Sequence, residues 1–293
     1  MATPIFVCAD DYGLTPGISK AIRNLAAAGR LSATSAMTVS PYWGAEGRIL
    51  RDFRGKSLAV GLHFTLTELG PLAALPKLAP VGRFPGLGPI MKRALSRTLP
   101  EDDVRKELEA QLDRFEAVMG SPPDYIDGHH HAHNLPIVRD VVLDVAPKRL
   151  GRERVFLRYC DEPLGAIIRR GGPVTHAVAI SLLGRAMARR GRAAGFAGNT
   201  GFRGVRNFSE SEDIRRLFAD ALKEPRANMM IMCHPGNGES APDVNDIIGG
   251  CRKQEYDFLR SDAWPEMLHK AGVELRRPGT AEARDAGQRS EPT

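Results

Sequence analysis

No stretch of this chain stays apolar for long. The most continuous run, Val174 to Leu183, is broken by Thr175, His176 and Ser181, far short of the roughly 20 residues that a bilayer-spanning helix needs. The beginning, MATPIFVCADDYG, lacks a basic leader and a long apolar centre, and meets two aspartates at once. Export by a signal peptide is therefore not expected. Cysteine is sparse as well: Cys8, Cys160, Cys233 and Cys251 are scattered and form no C-x-x-C pair. A structural zinc site and a disulfide scaffold lose their support, and reduced thiols in the cytoplasm are the expectation. The arginines are not interleaved with aromatic stacking platforms, so no nucleic-acid partner is expected. What remains is globular in composition, with 42% hydrophobic and 26% charged residues among 293. Wholesale disorder is excluded, and the length suits one large α/β domain.

Positive charge is concentrated. Between Pro147 and Asn207, 13 Lys or Arg stand against Glu153, Asp161 and Glu162, a local surplus of 10 in a chain whose net charge is +6. The plain reading is a solvated helix face. The functional one is attraction to phosphate groups or an anionic membrane, felt over about a Debye length of 10 Å. Arg185, Arg189, Arg190 and Arg192, with Val178, Leu182 and Met187 nearby, would suit a peripheral contact at the inner face of a membrane.

Periodicity predicts alternating strands and helices. Ile5 to Ala9 reads as a buried strand, and Thr15-Pro16 as the cap and first turn of a helix running to Gly29. Ser35 to Val39, Leu58 to Phe64, Tyr125 to Asp127, Val155 to Leu157 and Asn228 to Cys233 read as further strands. Val104, Leu108, Leu112, Phe115 and Met119 share one face of a helix over 101–119, closed by Gly120. A helix from Pro136 to Val145 follows, and Ser209-x-x-Glu212 reads as a capping box before a helix through Leu222. This alternation argues for a parallel sheet with crossover helices. Glu68 to Pro100, with six prolines and four glycines, reads as a long loop over the site or an insertion. One domain is expected over residues 1–278, followed by a frayed polar tail over 279–293.

The chemistry gathers at strand ends. Asp10-Asp11, His63, Asp127 to His133 (DGHHHAH) and His234-Pro235-Gly236 each follow or close an apolar strand, and they hold six of the eight histidines. In parallel α/β folds the loops leaving the strand C-termini build the ligand site. Each piece has a plainer reading: aspartates that cap a helix, a hydrogen-bonded core histidine, a surface histidine tract. Together they make a carboxylate–imidazole set suited to a divalent cation such as magnesium or zinc. Strand alternation should send Asp10 and Asp11 to opposite faces, so that one binds metal while the other handles a proton or orients a ligand. The same alternation would separate His129, His131 and His133 from His130 if that segment is extended.

With those residues assembled, the chain resembles the YdjC-like carbohydrate deacetylases, the group that includes chitooligosaccharide deacetylase and the hopanoid-biosynthesis deacetylase. The matching stretches are ADDYGLTPGI (Ala9–Ile18), GLHFTLT (Gly61–Thr67), DYIDGHHHAHNLP (Asp124–Pro136) and MCHPG (Met232–Gly236). The resemblance implies a single-domain (β/α) barrel-like deacetylase fold with a parallel β core. It also implies a divalent metal and an N-acetylated sugar substrate, free oligosaccharide or lipid-linked. Carried over by position, it implies metal ligation by Asp11, His63 and His129. Asp10 as base and His234 as acid follow by analogy with other metal-dependent sugar deacetylases. A homodimer is compatible with this reading.

Three rival functions use the same residues. A metal-dependent phosphoesterase or nuclease would explain the arginines but wants two metals with bridging carboxylates, and only one acidic pair is evident. A non-catalytic sugar- or metal-binding protein would use the same donors without turnover. A glycoside hydrolase pairing Asp10 with Asp127 or Glu68 would leave the histidines unexplained.

Overall fold

The computed structural model describes residues 2–242, 244 and 246–279. The expected tail therefore lies, beyond Gly279, outside the described residues. The expected apolar runs form a parallel sheet. Its strands are β1 (Thr3–Tyr12), β2 (Ala33–Ala36), β3 (Ala59–Phe64), β4 (Ile126–Gly128), β5 (Phe156–Leu157), β6 (Ala197–Gly198), β7 (Phe202–Arg203), β8 (Met230–Cys233) and β9 (Val273–Leu275). They lie in the order β6-β5-β4-β3-β2-β1-β8-β7, with β9 along the start of β1, and every pairing is parallel. The sheet curls into a half-barrel. Its end strands β6 and β7 are consecutive in the chain, and between them Asn199 supplies side-chain bonds to Tyr159 and Gly201 instead of a ladder.

Helices α1 (Pro16–Ala27), α2 (Trp43–Leu50), α3 (Leu87–Leu95), α4 (Glu101–Met119), α5 (Val138–Leu150), α6 (Leu164–Arg170), α7 (Val174–Ala193), α8 (Ile214–Ala221), α9 (Gly249–Arg260) and α10 (Ala263–Lys270) connect the strands. Helix α1 starts as its sequence predicts: Thr15 Oγ1 accepts from Ile18 N at 3.2 Å, and Pro16 occupies the first turn, where no donor is needed. Among the described residues no helix is long and apolar enough to cross a membrane.

Strand parity separates two cores. Ile5, Val7 and Ala9 of β1, with Val60, Leu62 and Phe64 of β3, pack in the large cluster shared with the helices. Phe6, Cys8, Ala33, Ala59, Tyr125, Phe156, Ala197 and Met230 form a second cluster built from the sheet's other face. Gly61 is required there, because a Cβ at that position would stand 2.3 Å from the Tyr125 ring. Continuing the same alternation toward the strand ends assigns Asp10, Ser35, His63, Asp127, Arg158 and His234 to this inner face.

Three local expectations change, and the condition set on the histidine tract is not met. Segment 68–100 is not a plain loop: it contains α3, with Pro89 tolerated in its first turn. It is pinned by buried polar groups of α4. Gln111 brackets Thr65, Glu107 accepts from Leu72 and Ala73, and Asp103 accepts from Lys77 and Leu78. The second strand occupies Ala33–Ala36, earlier than Ser35 to Val39, because the ladder with β1 loses register between Ala9 and Tyr12. The helix after Ser209 is capped by Asp213, whose carboxylate accepts from Arg216 N at 3.1 Å, while Glu212 folds back on Asn207 and Ser209 in a preceding turn. Residues 129–134 are not extended but form a 3-10 turn, with His130 and His131 in left-handed backbone.

Candidate metal centre

The parallel register builds the inner wall of the site. His63 of β3 is the ladder partner of Asp127 of β4, and His63 Nδ1 donates to Asp127 Oδ1 at 2.7 Å. That bond leaves Nε2 pointing onward, 3.3 Å from Asp11 Oδ1. The turn after β4 delivers His129, whose Nδ1 lies 3.1 Å from the same Asp11 oxygen. Strand alternation alone would have sent Asp11 to the helix side. Its backbone instead takes φ 68°, a left-handed conformation uncommon outside glycine. The carboxylate consequently joins the two imidazoles, and donor atoms of Asp11, His63 and His129 all lie within 4.8 Å of one another.

Asp10 stays on the inner face and meets a different partner. Arg158, fully buried, donates from Nη1 to Asp10 Oδ2 at 2.7 Å and from Nη2 to Oδ1 at 2.6 Å. The same Nη2 lies 2.6 Å from Asp127 Oδ2, which also accepts from Ser35 Oγ. Asp11 has its own guanidinium, since Arg252 of α9 donates to its Oδ2 at 2.7 Å and to Asp246 at 3.0 Å. Three buried carboxylates thus share two buried arginines. Burial is costly for an ionised group that is not paired, and the histidines feel the shortfall of positive charge.

Burial works to lower the His63 pKa, but Asp127 and Asp10 overcome it and carry the value up to about 10. His129 is raised against burial by Asp11. Asp11 is held well below the carboxylate range, with Arg252 and His129 outweighing burial; Arg158 and His63 do the same for Asp127. The other imidazoles go the opposite way. Burial, reinforced by His129, takes His130 down to about 4, and burial lowers His131 well below its usual value. His133 is also depressed by burial, to about 4.

His234 lies at the end of β8, where its backbone N–H donates to Glu255 and its ring meets Phe208 edge-on at 5.1 Å. Its Nδ1 is buried without a hydrogen-bond partner among the described residues, and burial lowers its pKa. The turn therefore divides the histidine tract. His129 joins the three-donor cluster. His130 bonds Thr67 at 3.0 Å, and His131 packs on Phe202. His133 donates from Nε2 to the Arg158 carbonyl at 3.0 Å.

Sequence reasoning missed Arg158, Arg252 and Ser35. Arg158 was countable only as part of the basic surplus, yet it follows an apolar pair on a strand, where parity would place it inside. Three more arginines of that surplus are likewise internal. Arg170 and Arg203 pair with Glu162, and Arg206 pairs with Glu255. The surplus is therefore only partly a surface feature. A surface groove of about 700 Å³ between α5 and α7, lined by Lys148, Arg152 and Arg190, lies away from this cluster. Its Lys148 and Arg190 are already paired, with Asp144 and Asp140.

Comparison with known proteins adds three findings. A profile described as YdjC-like protein matches residues 4–270. Proteins named chitooligosaccharide deacetylase from Yersinia pestis (strain Pestoides F) and Yersinia pseudotuberculosis serotype O:1b are each 36% identical over 156 residues. That match takes in 52% of this chain and 60% of each relative. A crystal structure from Enterococcus faecalis, described as a candidate cellobiose-phosphate cleavage protein, superposes with a TM-score of 0.64 at 20% identity. It covers 94% of this chain and 98% of that one, a likeness of fold.

Proposed function

The chain is a member of the YdjC-like protein family, and from that membership and the geometry of its strand ends we propose that it is a metal-dependent carbohydrate N-deacetylase. It removes the acetyl group from an N-acetylated amino sugar. The observation that carries this reading is the convergence of Asp11, His63 and His129, buttressed by Asp127.

Their spacing suits an ion. Two donors each about 2.1 Å from one cation stand roughly 3.0–3.4 Å apart at octahedral or tetrahedral angles, and Asp11 Oδ1 lies 3.3 and 3.1 Å from the two imidazole nitrogens. Asp127 supplies the carboxylate that orients a ligating histidine. The chemistry that a bound Mg²⁺ or Zn²⁺ supplies in such a place is polarisation of an amide carbonyl and acidification of water.

The protein's own groups do the rest. Asp10 accepts a proton from the attacking water. Arg158 fixes its carboxylate in one orientation, and a carboxylate retains lone pairs beyond the two that Arg158 occupies. His234 donates a proton to the departing sugar amine, its buried Nδ1 having no hydrogen-bond partner among the described residues. Each transfer of this kind is typically worth about 10²- to 10⁴-fold in rate.

A lipid-linked acetamido sugar at the inner face of an anionic membrane suits the exposed surface better than a free oligosaccharide. Ile168 and Leu182 are 64% and 51% exposed on α6 and α7, and Arg185 and Arg189 are exposed on α7. The test of the main proposal is acetate release from N-acetylated oligosaccharide and glycolipid panels before and after chelation. Release should stop on chelation and return with metal; no release from any acetylated sugar by metal-loaded protein would refute it.

A further inference from the structure

His129 faces two ways. Its Nδ1 turns inward to Asp11, and its Nε2 turns outward, 3.9 Å from Glu68 Oε2. The neighbouring His130 ring lies 4.0 Å from the His129 ring, centroid to centroid, tilted by 31°. Thr67 Oγ1 engages His130 Nδ1 at 3.0 Å, which leaves Nε2 as that ring's remaining donor. One donor atom each from Glu68, His129 and His130 falls within 4.8 Å of the others.

This second trio differs from a buttressed ligand. Where Asp127 supports His63, the carboxylate is fully buried and the hydrogen bond is 2.7 Å. Glu68 is 55% exposed, and its 3.9 Å separation from His129 is too long for a hydrogen bond. Two donors each about 2.1 Å from one ion stand roughly 3.0–3.4 Å apart at octahedral or tetrahedral angles, so the exposed Glu68 side chain would close by about half an ångström to share one. Glu68 and His130 both hold left-handed backbone, φ 68° and 52°, on the separate turns that follow β3 and β4. Two strained positions at the tips of neighbouring turns thus bring a carboxylate and an imidazole to one accessible point.

We propose that Glu68, His129 Nε2 and His130 form a second, outer cation site at the mouth of the cluster. One carboxylate with two imidazoles favours a borderline transition-metal ion such as Zn²⁺ or Co²⁺ over Mg²⁺, which prefers oxygen ligands. The inference rests on the proposed function only in sharing His129 with the inner trio. If both positions fill together, His129 binds through both ring nitrogens, and its remaining N–H proton passes to solvent. Ions bridged by one imidazole stand about 6 Å apart. That exceeds the 3.5–4 Å of two-metal phosphoryl chemistry, so the outer site does not revive the phosphoesterase reading.

The experiment counts ions. Metal-free full-length protein is titrated with zinc sulfate by isothermal calorimetry, and bound metal is measured after equilibrium dialysis. Two zinc ions per chain are expected in the wild type. Glu68→Gln and His130→Asn should each reduce the count to one, Asn being chosen because it tolerates left-handed backbone. His63→Ala should weaken the inner class and keep the outer one. A single ion in the saturated wild type, or two ions persisting in the Glu68→Gln/His130→Asn double variant, would overturn the outer site. If two ions bind and His63→Ala leaves both classes unchanged, the outer site stands and the inner assignment fails.

Discussion

The two sides of the curled sheet are built differently. On the β1–β4 side the ladders are longer: β1 runs ten residues and β3 six, and this side delivers all three donors of the inner cluster. On the β5–β7 side each strand is two residues long. To the site that side contributes the buried guanidinium of Arg158, and it also carries the exposed basic helix α7. The ladder fixes His63 against Asp127 directly, and the ends of β1 and β4 launch the turns that carry Asp11 and His129. The contrast puts the donor cluster on the first side and, in the proposed reading, substrate presentation on the second, with Arg158 as the tie between them.

The largest effect should come from cutting that tie. Arg158→Met leaves Asp10 and Asp127 buried without their cation, and a loss of about 3–5 kcal/mol in urea unfolding is expected. A loss under 1 kcal/mol would mean that the two sides are not coupled there. Next in size is a pH effect at His133, which touches the Arg158 carbonyl. Burial holds its folded pKa at about 4 against the ordinary imidazole value of 6.5, so the unfolded chain binds the proton more readily between those values. The stability is fully present above pH 6.5 and drains as pH falls toward 4, by up to about 3 kcal/mol. His133→Gln should flatten that part of the stability–pH curve; an unchanged slope would contradict the burial argument.

Asp127→Asn probes the ladder side directly. Loss of the carboxylate behind His63 should weaken metal binding about 10- to 100-fold, as is usual for a group that orients a ligating histidine, measured by competition with a chromogenic chelator. The smallest effect belongs to the other side. Arg185→Ala with Arg189→Ala should change stability by less than about 0.5 kcal/mol and leave hydrolysis of a soluble substrate intact. It should abolish salt-sensitive co-sedimentation with anionic vesicles. Equal sedimentation of wild type and variant would remove the membrane from the account.

The same contrast explains what could be read from the chain alone. Long apolar runs announced β1, β3, β8 and the helices α1 and α4, and polar residues at their ends marked the site. Alternation set Asp10 apart from Asp11 without saying which of them faced the site. It failed at Asp11, because the left-handed turn there is a property of the assembled site and has no glycine to signal it. It does not apply over His129 to His133, where two left-handed histidines curl the chain into a turn. Arg252 left no local signal and Arg158 only its parity after Phe156-Leu157, because an arginine's burial depends on carboxylates 241 and 148 residues away. Helix α3 was masked by prolines and glycines that cap or tolerate its first turn.

The central claim is a place: one cation held jointly by Asp11, His63 and His129. Anomalous X-ray diffraction at the zinc edge from metal-loaded crystals tests it most directly. The account predicts a peak bonded to Asp11 Oδ1, His63 Nε2 and His129 Nδ1 together. Saturating zinc with no anomalous density among those three atoms would contradict it.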